Sequence, residues 1–482
     1  MLTPKITFNN SAFAFHTIQE RWPKILTQLI DSIYRNREKY CKNADDDTSN
    51  KLKELTRHVS QLRYEIMTNK PLTLLLSALF SPSELQVWNQ LLSSYGMKTE
   101  SSENTQCQTL AVCWYDLSFL FAECYLYRRI MDAVFQSGLN DFDPFFLKKQ
   151  CGLKNSGPFI SSLLLSLSRL HDLPSRQAFD FFLHSSLWAN EYDLSLRPDG
   201  EFQQTGFDQI SDYIKHTEER TVVNDKDAIH EFCMKLKNHS RKLRVAIILD
   251  NAGPELLADL CLAEYFVANK NCADSVSFYG KCMPWFVSDV TRKDFDWLLN
   301  VNPLELKEAC NDQQIHSIIK WSEVWRKRVE ERTFQFKTSS FWTMPYAYDQ
   351  MQTADATLYE DLSKNYDLII FKGDLNYRKM VGDRQWKPDS PEDKVNAFGR
   401  VQIGRPSSCK CSERLANLEP GSPIVDCSCG PMVVSLRIAK SDVAVGVNHD
   451  CLAELQNKNK DWWTVGQYGL IQVVSPIVHC TL

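Results

Sequence analysis

At 482 residues and 55.7 kDa, the chain is too long for one ordinary hydrophobic core and long enough for more than one. Its 43% hydrophobic, 24% charged and 11% aromatic residues describe a globular protein and exclude a largely disordered one. Lys+Arg 55 against Asp+Glu 60 leaves a net charge of −5, so no overall basic field exists to attract nucleic acid or an anionic membrane.

The longest uncharged apolar runs, Pro71 to Phe80 and Phe159 to Ser168, fall far short of the roughly 20 residues a spanning helix needs. The opening Met1-Leu-Thr-Pro-Lys-Ile lacks the basic start and apolar stretch of a secretory signal. The expectation is an intracellular protein, cytoplasmic with the nucleus left open. The 16 cysteines are mostly scattered, and Cys124, Cys233 and Cys261 fall in helix-like apolar patterns where cysteine acts as a small hydrophobe.

The first two hundred residues read as helical. Arg21 to Arg35 places Trp22, Ile25, Leu26, Leu29, Ile30 and Ile33 at spacings of three and four, and Trp114 to Val134 repeats the pattern. Strand-like β-branched runs are almost absent there, and Asn43-Ala-Asp-Asp-Asp-Thr-Ser-Asn reads as a solvated loop. From about residue 240 the pattern changes. Leu243-Arg-Val-Ala-Ile-Ile-Leu-Asp is a short apolar strand followed by a Gly-Pro turn and the helix-like Pro254 to Ala268. Asp274 to Tyr279, Tyr366 to Asp374 and Met432 to Ile438 are further strands, with helices expected over Asn300 to Arg332. Strands alternating with helices predict an α/β fold: a three-layer α/β/α sandwich with a mostly parallel sheet, preceded by a helical N-terminal region. The expected division is residues 1–200 for the helical region and 201–482 for the sandwich. Residues 382–430, rich in Pro, Gly, Ser and charge, form a long excursion from it.

In open α/β sheets ligands bind beyond the carboxyl ends of the strands, which singles out the residues ending each apolar run. The first run ends in Asp250-Asn251-Ala252-Gly253-Pro254, hard oxygen ligands directly ahead of a helix. Asn251 and Gly253 equally serve to make the turn and cap that helix. Asp289 stands alone in the apolar Met283-Pro-Trp-Phe-Val-Ser-Asp289-Val, where it must be paired if buried; the plain alternative is an exposed cap on a helix near Lys293. The third run ends in Lys372-Gly-Asp374-Leu375-Asn376-Tyr377-Arg378-Lys379, a density of acid, amide, phenol and base that suits a polar phosphorylated ligand or a salt-bridged loop. The fourth ends in Arg437-Ile-Ala-Lys440. Acids, amides and bases at successive strand ends are the pattern for a divalent metal and a phosphate. Gly-x-x-x-x-Gly-Lys-Ser/Thr, Gly-x-Gly-x-x-Gly, Gly-x-Ser-x-Gly and His-Glu-x-x-His are all missing from the sequence. Cys409-Lys-Cys411 and Cys427-Ser-Cys429 have the count for a tetrathiolate zinc site, but one intervening residue constrains the turn poorly, and free loop thiols are expected.

These segments resemble the acidic residue methyltransferase-like branch of the damage-control phosphatase family, its sugar phosphate phosphatase subfamily III. The matching pieces include Glu20-Arg-Trp-Pro-Lys-Ile, Ala122-Glu-Cys-Tyr-Leu-Tyr-Arg-Arg-Ile and Leu187-Trp-Ala-Asn-Glu-Tyr-Asp. They continue with Leu249-Asp-Asn-Ala-Gly-Pro-Glu-Leu, Pro284-Trp-Phe-Val-Ser-Asp-Val-Thr, Phe371-Lys-Gly-Asp-Leu-Asn-Tyr-Arg-Lys and Trp462-Trp-Thr-Val-Gly-Gln-Tyr-Gly. The resemblance implies an α/β/α sandwich and a metal-dependent phosphatase of small sugar phosphates such as fructose 1-phosphate and fructose 6-phosphate, acting in metabolite damage control. It implies Asp250, Asn251 and Asp289 as catalytic metal ligands for Mn²⁺, Co²⁺, Ni²⁺ or Mg²⁺. Asp250, Asn251, the loop Asp374, Leu375, Asn376, Tyr377 and Arg378, and Lys440 would bind substrate. Glu123, Asn190 and Asp193 lie in resembling segments and are open to a place in the pocket or in helix packing. The sequence departs from the family's Arg-Thr-x-Lys motif by Ile438. Protein-glutamate O-methyl transfer from S-adenosylmethionine, and a non-catalytic binding protein, are the alternative functions; oligomeric state is not legible.

Overall fold

The computed structural model describes residues 3–41, 46–78, 82–102, 105–189, 207–238, 242–268, 272–307, 310–401, 403 and 430–474. Asn190, Asp193, Cys409, Cys411, Cys427 and Cys429 lie outside the described residues. Two antiparallel strands, β1 (Met97–Ser102) and β2 (Thr105–Leu110), form a hairpin in the helical region. The sequence reading missed it because Met97-Lys-Thr-Glu-Ser-Ser has no apolar alternation to betray a buried face. The remaining strands are β3 (Thr221–Asn224), β4 (Leu243–Ile248), β5 (Ala273–Gly280), β6 (Phe334–Thr338), β7 (Leu368–Lys372), β8 (Met432–Ile438) and β9 (Gly469–Val473). They form one seven-stranded sheet in the order β3-β9-β8-β7-β4-β5-β6. Strands β8, β7, β4, β5 and β6 run parallel; β9 is antiparallel to β8 and parallel to β3.

The apolar runs are continuous because both sheet faces are covered. On β4, Val245, Ile247 and Leu249 enter one core with the helices Gly157–Ser168, Ser175–Trp188 and Pro254–Ala268. Ala246 and Ile248 point the other way, into a second core shared with the N-terminal helices Trp22–Arg35, Asp46–Met67 and Phe119–Gln136. The helical residues before 200 therefore pack on both sides of the sheet. The helices expected over 300–332 are Pro303–Leu306 and Asp312–Glu330, the second opened by an Asn311/Gln314 capping box, whereas Asp46 to Asn50, expected as loop, begin the helix Asp46–Met67. Of the excursion, the helix Pro391–Phe398 and the buried Trp386 pack into the second core, while residues 404–429 are outside the described set.

One charge cluster fastens the N-terminal region to the sandwich. Arg378 is 3% exposed and donates to Glu123 Oε2 at 2.5 Å and Asp383 Oδ1 at 2.8 Å, with its guanidinium 4.4 Å from the Phe119 ring centroid. Glu123 and Phe119 belong to the helix Phe119–Gln136, so the contact spans 255 residues of sequence. Removing one partner of a buried pair strands the others. Arg378→Ala is therefore expected to lower unfolding free energy by about 3–5 kcal/mol, read from chemical denaturation, whatever it does to ligand binding.

Candidate active site

The sheet order contains a reversal. From β4 the chain proceeds outward to β5 and β6, then returns to place β7 on the opposite side of β4. The carboxyl ends of β4 and β7 therefore flank a crevice, the place where open α/β sheets bind ligands. Asp250 and Asn251 follow β4, and Gly373 and Asp374 follow β7.

Asp289, thirty-eight residues beyond Asn251 in sequence, is brought there by a short antiparallel bridge between Asn251 and Asp289. Ala252 N donates to Ser288 O at 2.7 Å and Val290 N to Asp250 O at 2.8 Å. The approach is bent: Phe286 and Val287 have φ of 45° and 71°, a left-handed conformation that is unfavourable for a β-branched residue. Packing fixes it, since Phe286 stacks on Tyr127 of the N-terminal region with centroids 4.5 Å apart. Asp289 is thus buried beside Asn251 and is not an exposed helix cap; Thr291 and Asp294 cap the helix Arg292–Leu299 instead.

Each polar group has defined company. Asn251 Nδ2 donates to Asp250 Oδ2 at 2.6 Å and to Glu255 Oε2 at 2.8 Å, and Asn251 Oδ1 accepts from Ser288 Oγ at 2.5 Å. Lys281 Nζ lies 3.0 Å from Asp289 Oδ2 and donates to Leu249 O at 2.9 Å. Even so, Asp289 Oδ2 is buried without a well-aligned hydrogen bond. Burial, and then repulsion from Asp289 and Glu255, push the Asp250 carboxyl well above the usual carboxylate range. Burial likewise raises Asp289 against the opposing pull of Lys281. Gly373, with φ of +85°, is backed directly by Asp250: a Cβ there would sit 2.0 Å from Asp250 Oδ2. Two crowded carboxylates and an amide, one oxygen of them short of a donor, fit a divalent cation. Among the described residues no three His, Cys, Asp or Glu side chains form a cage, so water or ligand oxygens would have to complete the sphere.

The segment after β7 is a helix, Gly373–Met380, and not the loop expected from sequence. Helical periodicity divides its residues. Asp374, Leu375 and Arg378 line a cavity of about 150 Å³ together with Asp250, Asn251, Asp289 and Lys440, space for several waters or one small ligand. Asn376 is turned into the core, accepting from Tyr348 Oη at 2.5 Å and donating to Lys372 O at 2.7 Å. Tyr377 Oη accepts from Val445 N at 3.0 Å. Both stand outside the cavity lining, where the sequence reading had them touching substrate. Lys379 donates to Trp342 O and Met344 O at 2.9 and 2.7 Å, and burial lowers its pKa to about 8.

Burial alone would raise Asp374, but Arg437 and Arg378 outweigh it and hold its carboxyl below the ordinary value. Asp374 Oδ1 accepts from Arg437 Nε at 2.8 Å, Lys440 N at 3.1 Å and Ser441 Oγ at 3.1 Å. Lining or supporting residues that the sequence reading gave no site role include Lys281, Glu255, Phe13 and Arg21. The strand-end rule would have found Lys281 directly after β5, and Glu255 stands one helical turn from Asn251. Arg21 lies in the resembling segment Glu20-Arg-Trp-Pro-Lys-Ile, which gave it no role, and nothing local marked Phe13, which reaches the cavity only through tertiary packing.

The carboxylate-amide cluster and Lys440 thus share one small cavity at the switch point of an open α/β sheet, where such sheets bind ligands. Residues 17–455 match the damage-control phosphatase ARMT1-like domain, and the chain belongs to that family. It is 30% identical over 483 residues to the human damage-control phosphatase ARMT1, covering 97% of each chain. With the zebrafish (Danio rerio) protein of the same name it shares 29% over 484 residues, 96% of this chain and 95% of that one. A DUF89 family protein from Pyrococcus horikoshii aligns with a TM-score of 0.39 and 12% identity, covering 95% of this chain and 98% of that chain.

Two outcomes follow from the geometry. Gly373→Ala should weaken Mn²⁺ binding by at least about tenfold by displacing the Asp250 carboxylate, as read by calorimetric titration. Raised folded-state pKa values mean that Asp250 and Asp289 favour the fold most below the unfolded carboxylate pKa and lose that contribution as pH rises through the raised values. A bound cation reverses this, so the melting-temperature gain from Mn²⁺ should grow from about pH 5 to about pH 8.

Proposed function

We propose that the protein is a metal-dependent phosphatase that hydrolyses small sugar phosphates of the fructose 1-phosphate or fructose 6-phosphate type. The observation carrying this reading is the convergence of Asp250, Asn251 and Asp289 with the side chain of Lys440 on one small cavity. The names of the relatives support the phosphatase class. Mn²⁺, Co²⁺, Ni²⁺ or Mg²⁺ would be held by Asp250, Asn251 and Asp289, and when bound supplies Lewis acidity and neutralises phosphate charge.

The chain's own residues supply position and charge. Lys281 holds Asp289 from beneath, and Ser288 donates to Asn251 Oδ1, the amide atom able to ligate a cation, while Nδ2 donates to Asp250 and Glu255. Lys440 Nζ has no ion-pair partner among the described residues, which leaves its charge for a phosphate. Its backbone is pinned by Asp374, itself locked by Arg437. Phe119, Phe286, Leu375 and Ile438 wall the cavity and exclude water from the charges inside, raising the worth of each contact.

Asp289→Ala should reduce Mn²⁺-dependent phosphate release from fructose 1-phosphate by at least about a thousandfold while the protein remains folded by circular dichroism. Wild-type turnover in the folded variant would remove Asp289, and with it this reading of the site.

A further inference from the structure

The cations lining the cavity and those packed behind it fall into two groups. Arg378 is committed to Glu123 and Asp383, Arg437 to Asp374, Lys281 to Asp289, and Lys372 to Glu255 and Asp259. Lys440 and Arg21 line the same cavity, and among the described residues neither side chain has an ion-pair or hydrogen-bond partner. Arg21 comes from the N-terminal region, not from a strand end, and is exposed at the cavity.

Its backbone is unusual. Thr17–Arg21 is a stretch of π-helix, closed by Trp22 N donating to Thr17 O, immediately before the helix Trp22–Arg35. Single π-turns are costly and collect at functional sites, since the extra residue rotates one side chain off the ordinary helical face. Here the stretch is clamped on both sides. Thr17 and Ile18 are buried, and Trp22 is fully buried, stacked on Phe119 at 6.1 Å with an interplanar angle of 12°. Phe119 itself lines the cavity beside Phe13 and Glu123. The backbone under Arg21 is rigid while its guanidinium is left unengaged, an arrangement that spends little conformational entropy when an anion arrives.

We propose that Arg21 is a substrate-binding residue: its guanidinium takes the phosphomonoester anion as a planar fork while Lys440 supplies a point charge, so that the N-terminal region completes the binding site. This rests on the phosphatase reading for the substrate class, but not for the presence of an anion site. A solvated arginine with no role is the competing reading, and the two separate cleanly in measurement.

Arg21→Gln and Arg21→Lys are compared with wild type in the full chain with saturating Mn²⁺. Two readouts are taken: the dissociation constant for inorganic phosphate by calorimetry, and kcat and KM on fructose 1-phosphate. Expected for Arg21→Gln is a phosphate dissociation constant and a KM raised by about ten- to a hundredfold, with kcat changed by only a few-fold. Arg21→Lys should recover part of both, and melting temperatures should stay close to wild type because the side chain is exposed. Unchanged phosphate affinity and KM in Arg21→Gln would overturn the proposal, as would an equal fall in kcat with KM untouched. Wild-type protein that binds phosphate through Arg21 but releases none from sugar phosphates would overturn the phosphatase reading and leave Arg21 standing.

Discussion

Asp250, Asp289 and Glu255 are carboxylates that the topology forces together at the reversal between β4 and β7, and much of the site is arranged around the cost of that crowding. Each would be expensive to bury singly, and together they repel. Lys281 and Lys372, at the ends of the two strands β5 and β7, offset part of the charge from inside the fold. The asymmetry is informative. Glu255 and Asp289 each have a lysine within 3.3 Å, whereas among the described residues Asp250 has only the Asn251 amide as a near side-chain donor. The charge left over is concentrated where Gly373 opens the backbone, on the cavity side.

The same accounting explains why the helical N-terminal region belongs to the site and is not an appendage. One hydrophobic core runs from Trp22 and Leu55 through Tyr127 to Ile248 and Phe371 of the sheet. Tyr127 stacks on Phe286, two residues before Ser288, and so supports the strained turn that delivers Asp289. A left-handed Val287 costs on the order of 1–3 kcal/mol, and it persists because packing from a distant part of the chain over-determines it. Loss of contact between the two regions would therefore be felt at the carboxylates before it was felt in the sheet.

The sandwich was legible because its strands are buried on both faces: Leu243 to Ile248 and Leu368 to Lys372 read as nearly unbroken apolar runs. The strands of this sheet that were not recognised, β3, β6 and β9, are short and carry polar residues such as Asn224, Gln335 and Gln472, so periodicity had little to act on. Asp250, Asn251, Asp289 and Lys440 could be placed from the strand-end rule and the family resemblance, and all four reach one cavity. The segment 374–378, expected as a loop, is helical, so its residues divide with the helical period. As a helix starting at Gly373 it turns Asp374, Leu375 and Arg378 to the cavity and sends Asn376 and Tyr377 into the core. Arg21 lies in the resembling segment Glu20-Arg-Trp-Pro-Lys-Ile but carried no site role there, and Phe13 meets the cavity only through tertiary packing, which leaves no local pattern.

Ile438 stands where the family motif has a hydroxyl, and the hydrogen bonding around it shows how the fold absorbs the change. A threonine in that turn could donate one hydrogen bond near Lys440. Here the turn is held by other atoms: Asp374 Oδ1 receives the Lys440 amide, the Ser441 hydroxyl and the Arg437 side chain at once. Arg437 further donates to Ser441 O and Oγ at 3.1 and 3.0 Å and to Val443 O. The position of Lys440 thus depends on a carboxylate from the neighbouring strand's helix and not on residue 438. Ile438, 7% exposed, joins the core behind β8 and gives the cavity an apolar edge. A drier wall beside Lys440 would strengthen the field its ammonium exerts on the proposed phosphate, so under that reading Ile438 removes a hydroxyl without weakening the charge at the cavity.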